Sequence, residues 1–417
     1  MKIIKLGILG LTLSLSGVLS AQSISSPYSN HGLGEFLYQG LPHNYAMGQV
    51  GIGTPTPWHI NLQNPALLFY NNFSSFQVGL QTDFRNYSTE ETSSKSQSIS
   101  LRYMAMSFPV VNNRWTTSLA ILPLTVVKYN TFARDSIDQV DRVVQNQGDG
   151  GLTQVVWANG IRLFDRFTVG VKAVYIFGSV NSDAKIQMAG PNFSSNYIIS
   201  YYETARYSDV NLSLGLSYQF KFGEGNIATI GAVHGLSRGI DGTQDISFRR
   251  LSFTGAVIQQ QFLEEGATTS FTLPTYYGTG ISFEKLNKFR AGVDISYRNW
   301  SGTNNAEGTE VRNTLDLAGG AEFTPDYQSV NSYLKRVTYR LGMNLKQLPY
   351  LENNTEINDF GINFGASFPV SGFSSLDAAF KYGFRGTTNN NLIRENYFQV
   401  VIGATINDRW FIKRRYD

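Results

Sequence analysis

Apolar and polar residues alternate along most of this chain with a period of two. In the stretch NYFQVVIGATINDRWF (Asn396–Phe411), Phe398, Val400, Ile402, Ala404 and Ile406 fall on one face. Gln399, Gly403, Thr405 and Asn407 fall on the other, and only Val401 breaks the order. Successive side chains of an extended strand point to opposite faces, so this pattern predicts a strand with one apolar and one polar face. Phe289–Tyr297 repeats it: Phe289, Ala291, Val293, Ile295 and Tyr297 oppose Arg290, Gly292, Asp294 and Ser296. Leu376–Arg385 does so again, and about fourteen such segments follow one another from Phe73 to the C-terminus.

A soluble β-sandwich also alternates, so the connections decide. Short links at 111–114, 164–166, 223–225, 284–287 and 370–373 take turns with longer polar stretches. The longer ones lie at about 130–151, 180–206, 238–272, 301–310, 347–357 and 386–394. Short turns at one end and long loops at the other are the pattern of a transmembrane barrel. Closure follows from the solvent: in lipid every backbone N–H and C=O needs a partner, and a closed antiparallel sheet has no free edge. The expected fold is all-β, a transmembrane antiparallel β-barrel of about 14 strands with an N-terminal luminal hatch. An even count puts both barrel ends on one side; the link at about 325–334 is longer than this scheme wants.

Arg290, Asp294, Asp316, Glu322, Arg340, Lys381 and Arg385 each sit opposite an apolar row and are expected to face the lumen. An Arg or Lys turned to lipid at the midplane would cost about 2–4 kcal/mol. Trp115, Tyr129, Trp300, Tyr397 and Trp410 stand near predicted strand ends and are expected in interfacial belts.

The ends of the chain add location. Residues 1–21 carry Lys2 and Lys5, an apolar run from Leu6 to Leu19 that is short for a spanning helix, and Ala21. That arrangement reads as a cleaved signal peptide, and with the barrel it implies the outer membrane of a Gram-negative bacterium, with outer-membrane lipid around the wall. The absence of Cys excludes a lipoprotein, disulfides and a Cys-ligated metal. A net charge of +3 without a clustered basic face argues against a nucleic-acid partner. No GxSxG, HExxH or Walker A motif is present, so neither an enzyme nor a cofactor is expected.

Residues 22–72 read differently. They hold His31, His43 and His59 and five of the 12 Pro, with many Gly, Asn and aromatic residues. Such composition makes turns, but it is too aromatic for a disordered tail. The segment is expected to be a hatch or plug packed in the lumen of a barrel formed by residues 73–417.

Within it, AMGQVGIG (Ala46–Gly53) followed by NPA (Asn64, Pro65, Ala66) resembles the N-terminal pattern of the FadL-type outer-membrane transporter family, which broadly includes PorV-like proteins associated with type IX secretion. The family pattern has Gly where this chain has Gln49. The resemblance implies a fourteen-stranded barrel with a hatch inside it, passing long-chain fatty acids or other hydrophobic compounds laterally through the wall. It implies a second role too, that of an accessory barrel binding a secretion or surface protein.

Candidate hatch and gating residues are Asn64, Pro65, Ala66, Gly48 and His31. Candidates along a ligand path are Arg290, Asp294 and the apolar set Met104, Met106 and Phe108, which the parity of Arg102 places on the luminal side. That set would be a wall of a hydrophobic site, packing against the hatch, or the mark of a β-bulge that switches faces. In 238–272, Phe248, Leu251, Phe253, Val257 and Ile258 either dock a partner or extend strands above the membrane.

Overall fold

The computed structural model describes residues 26–137, 140–190, 193–194, 197–301, 311–370 and 372–409. The segment read as a signal peptide and the terminal aromatic pair Trp410 and Phe411 lie outside the described residues. In chain order the strands are β1 (Glu35–Phe36), β2 (Ser74–Ser88), β3 (Ser93–Val111), β4 (Trp115–Pro123), β5 (Thr125–Ile137), β6 (Val140–Phe164), β7 (Phe167–Gly190), β8 (Phe193–Ser194), β9 (Ile198–Phe222) and β10 (Asn226–Gly235). They continue with β11 (Arg238–Leu251), β12 (Val257–Leu273), β13 (Thr275–Lys285), β14 (Phe289–Asn299), β15 (Thr314–Phe323), β16 (Thr338–Glu352), β17 (Thr355–Pro369), β18 (Ser375–Arg385) and β19 (Arg394–Asp408). Helix α1 spans Pro42–Ala46 and α2 spans Tyr333–Arg336.

Fourteen of these strands close an antiparallel barrel: β2, β3, β4, β6, β7, β9, β10 and β13 to β19. Closure is made by β19 on β2, from Arg394 opposite Ser88 to Asp408 opposite Ser74. The barrel's two chain ends therefore meet at the end that carries the short turns, as the even count requires. The long link before β16 holds α2, whose Tyr333 hydroxyl donates to Pro369 O at 2.9 Å.

The polarity of the wall is inside out. On β9 the side chains of Leu212, Leu214, Leu216, Tyr218 and Phe220 are exposed, while Gly215, Ser217 and Gln219 between the last four are buried. Among charged residues Asp83, Arg85, Arg102, Arg290, Asp294, Arg340, Asp359, Asp377, Lys381, Arg385 and Glu395 are all buried. Apolar outside and charged inside is stable only where the outer surroundings are lipid.

Most stretches read as long polar loops are strands instead. β4 and β5 are one long strand broken at Leu124; β10 and β11 are another, broken at Leu236 and Ser237; β12 and β13 are a third, broken at Pro274. Beyond these breaks β5, β6, β7, β9, β11 and β12 continue as a sheet above one side of the barrel. Their alternation is weak in sequence because both faces meet water. Three residues expected in interfacial belts turn inward. Tyr397 shares the parity of Gln399, is 2 % exposed and donates to Asp359 at 2.7 Å. Trp300 is buried against Phe36, and Tyr129 lies over Gly148.

Candidate functional site

The segment from Ser26 to Phe73 is mostly buried and lies against the inner wall. α1 packs on β16 to β19, and a 3-10 turn at Pro65–Tyr70 packs on β4, β6, β7 and β9, so the segment spans the lumen. The wall receives it at glycines. A Cβ at Gly170 would lie 2.3 Å from the Ala66 nitrogen, one at Gly231 2.0 Å from Ile52 O, one at Gly320 2.2 Å from Met47 O and one at Gly342 2.4 Å from Gly48 N. These separations are inside van der Waals contact, so backbone meets backbone with no room for a side chain.

Polar pins complete the fit. Asp294 Oδ2 accepts from Gly51 N at 2.6 Å and Ile52 N at 2.7 Å. Asn64 caps the 3-10 turn by accepting from Ala66 N at 3.0 Å, and its amide donates to Ile52 O at 2.9 Å and to Leu216 O on the wall at 3.1 Å. Asn64, Pro65 and Ala66 thus serve as an anchor. Gly48 and Gln49 take φ of 69° and 76°. The second value explains why a family pattern would carry Gly where Gln49 stands: the left-handed region is strained for a side chain. His31 sits at the far end of β16 and β17, 2.7 Å from Glu352 and beside the Tyr350 ring.

The luminal charges form belts. Glu284, Arg290, Glu322 and Arg340 link β13 to β16 with contacts of 2.8–3.0 Å. Arg340 reaches Ser367, which donates to Asp377, and Asp377 meets His59 of the N-terminal segment at 3.2 Å. A second group joins Arg385 to Glu35, Asp359 and Glu395, and Arg85 to Glu395. Arg290 is therefore consumed in pairing and lies away from the cavity described next.

Above the segment's base is a cavity of about 230 Å³. Phe36, Leu37, Leu124, Val174, Ile176, Leu236 and Leu273 supply an apolar side. Lys172, Asp294, Arg298, Asp316, Asn344 and Lys346 supply a polar one. Lys346 Nζ donates to Phe36 O at 2.6 Å and Lys172 Nζ to Leu62 O at 3.3 Å; neither is in an ion pair among the described residues. Lys172 and Lys346 were not singled out from sequence, although each lies on the inward parity of its strand, two residues beyond Gly170 and Asn344.

Beside this cavity the wall has a seam. β3 pairs with β4 from Met104 to Val111, but past Leu124 the edge of β5 meets β1 instead of β3. Residues 35–39 fill the space. Glu35 and Phe36 pair with Val126 and Thr125, Leu37 N donates to Leu124 O at 2.9 Å, and Arg102 from β3 donates to Tyr38 O. Phe36 to Gln39 line the cavity and close the seam at once.

Met104, Met106 and Phe108 do not line the lumen. Gly79 pairs with Tyr103 and Leu80 with Leu101, so Arg102 is an inserted bulge residue. Arg102 and Tyr103 both point inward, and Met104 and Met106 are turned out, 39 % and 43 % exposed. Phe108 follows their parity and is partly exposed. The bulge switches faces, so Arg102 gave the wrong parity for the residues after it. Among the described residues no group of three or more His, Asp or Glu is placed to hold a metal ion.

A family model described as BamG matches residues 2–417. No protein of curated function matches the sequence. Solved structures do. The CymD monoaromatic hydrocarbon channel has TM-score 0.59 at 15 % identity, over 90 % of this chain and 99 % of its own. The Ralstonia pickettii toluene transporter TbuX has TM-score 0.57 at 16 % identity, over 89 % and 99 %. The P. putida toluene transporter TodX has TM-score 0.60 at 13 % identity, over 90 % and 100 %. At these identities the likeness is one of fold, and the fold is that of FadL-type barrels.

Proposed function

The chain belongs to the BamG family, and from that premise we propose that it is an outer-membrane barrel of a Gram-negative bacterium that passes a small hydrophobic or amphipathic molecule between its cavity and the bilayer, through the seam closed by residues 35–39. The observation that carries this reading is that the same four residues, Phe36 to Gln39, border the cavity and complete the wall. Below the cavity the glycine contacts leave the base of the hatch no freedom, so the route runs sideways. The hydrocarbon and toluene channels that share the fold support an apolar cargo. The cavity, at about 230 Å³, lies just under the ~300–1,000 Å³ usual for drug-sized ligands.

The test is mass spectrometry of the barrel purified from outer membranes in mild detergent, beside a Ser213→Phe variant that fills the cavity. A stoichiometric hydrophobe in the parent that is absent from the variant is the expected result. No bound molecule in either, with no uptake of an offered monoaromatic or fatty acid, would refute it. A second reading, a partner-binding barrel, is favoured by one observation: Phe253, Val257 and Ile258 at the top of β11 and β12 are 52–60 % exposed.

A further inference from the structure

The sheet above the barrel ends in two edges, β5 and β12, and we propose that the β12 edge is the docking site for a β-strand of a partner protein, apolar and carrying a basic residue. The proposal goes beyond the transport reading and stands or falls without it. The one ladder that β12 forms among the described residues is with β11, and β13 continues the same strand past Pro274. Every residue from Val257 to Gly266 is exposed, on both faces of the strand. Gln259, Gln260, Gln261, Glu264 and Glu265 keep this stretch out of lipid, where such groups are costly. Yet Val257, Ile258, Phe262 and Leu263 are 49–60 % exposed there. An apolar edge standing in water is a template for another strand, and its row of unpaired N–H and C=O groups is complemented by extended backbone.

The other edge shows what protection looks like in the same sheet. β1 pairs with Thr125 and Val126, Ser26 N donates to Lys128 O at 2.8 Å, and Lys128 N donates to Ser29 Oγ at 3.0 Å. Beyond that cover β5 carries Arg134. β12 holds no Lys, Arg or Pro from Val257 to Leu273. Its pairing with β11 is interrupted around Leu263–Gly266 and again at Ile258, with regular pairing between the two and below the first.

Charge selects the occupant. Among the described residues Glu264 and Glu265 form no ion pair, and Glu203 lies two strands away in register with Glu264 through Ile246. A basic residue in the incoming strand relieves this. A second copy of β12, added antiparallel about its middle, would set the same acidic pair against itself.

The test places a photo-crosslinking amino acid at Gln260 of the full chain in intact cells and maps the adducts by mass spectrometry. The expected result is one partner protein, cross-linked through alternate residues of a strand that contains Lys or Arg. The adduct should fall at least tenfold in Glu264→Lys/Glu265→Lys and in Ile258→Lys, with heat-modifiable gel migration showing both barrels folded. Adducts only to a second copy or to residues 302–310 of the same chain, no adduct at all, or a partner adduct that these variants leave unchanged would overturn the proposal.

Discussion

The N-terminal segment is held in two different ways. Its base, from Pro42 to Phe73, meets the wall backbone to backbone at glycines and through buried pins such as Asp294 and Asn64. Residues 35–39 meet the wall through a two-residue ladder, one further backbone hydrogen bond, the guanidiniums of Arg102 and Arg385 and the Lys346 ammonium. Steric contact between backbones cannot yield by rotating a side chain, whereas hydrogen bonds from Arg102 and Lys346 are broken one at a time. The difference gives the base a structural role and supports the proposal that the upper stretch is the part that moves.

The largest expected effect comes from the base. Gly231→Val drives a side chain into Ile52 O, and overpacking of this kind costs about 3 kcal/mol or more because the two nearest atoms, Ile52 O and C, are backbone. The melting temperature should fall, and protease should reach residues 42–73. An undisturbed melt would remove the basis for calling the base fixed. Next, Asp294→Ala deletes a carboxylate that accepts two backbone N–H groups. A loss of about 3 kcal/mol is expected, read by urea unfolding, since hydrogen bonds to a charged group are worth about 1.5–3 kcal/mol each.

At the seam the order of effects reverses. Arg102→Met and Lys346→Met should each cost only about 1–2 kcal/mol while speeding exchange of a bound hydrophobe, followed by fluorescence of a displaced reporter ligand. A large stability loss without faster exchange would make 35–39 as rigid as the base. The smallest effect, and of opposite sign, is Gln49→Gly. Relief of the φ of 76° should add about 0.5–1 kcal/mol, visible as a small rise in melting temperature.

Strand parity made the barrel legible, because the apolar and charged faces of β14, β18 and β19 differ so sharply that no tertiary knowledge is needed. The same rule would have placed Tyr397 inside, beside Gln399; position near a strand end was the weaker signal. Parity failed at Met104, Met106 and Phe108 because one inserted residue, Arg102, reverses every side chain after it. Val401, the apolar residue out of order in β19, packs on Tyr45 and Ala46 of the N-terminal segment, so the exception marked a contact. The seam was not legible. It depends on the break at Leu124 and on which strand β1 chooses, and both are long-range outcomes without a local sequence sign.

The central claim is that the bound molecule leaves through the seam when residues 35–39 move. The chain has no Cys, and Phe36 and Thr125 are opposed in an antiparallel pair, whose spacing of about 4.5–5.5 Å suits a disulfide. The decisive measurement is transfer of the bound hydrophobe from Phe36→Cys/Thr125→Cys barrels into liposome bilayers, oxidised and then reduced. The account predicts retention in the oxidised barrel and transfer at the parent rate after reduction. Equal transfer in both states would contradict it.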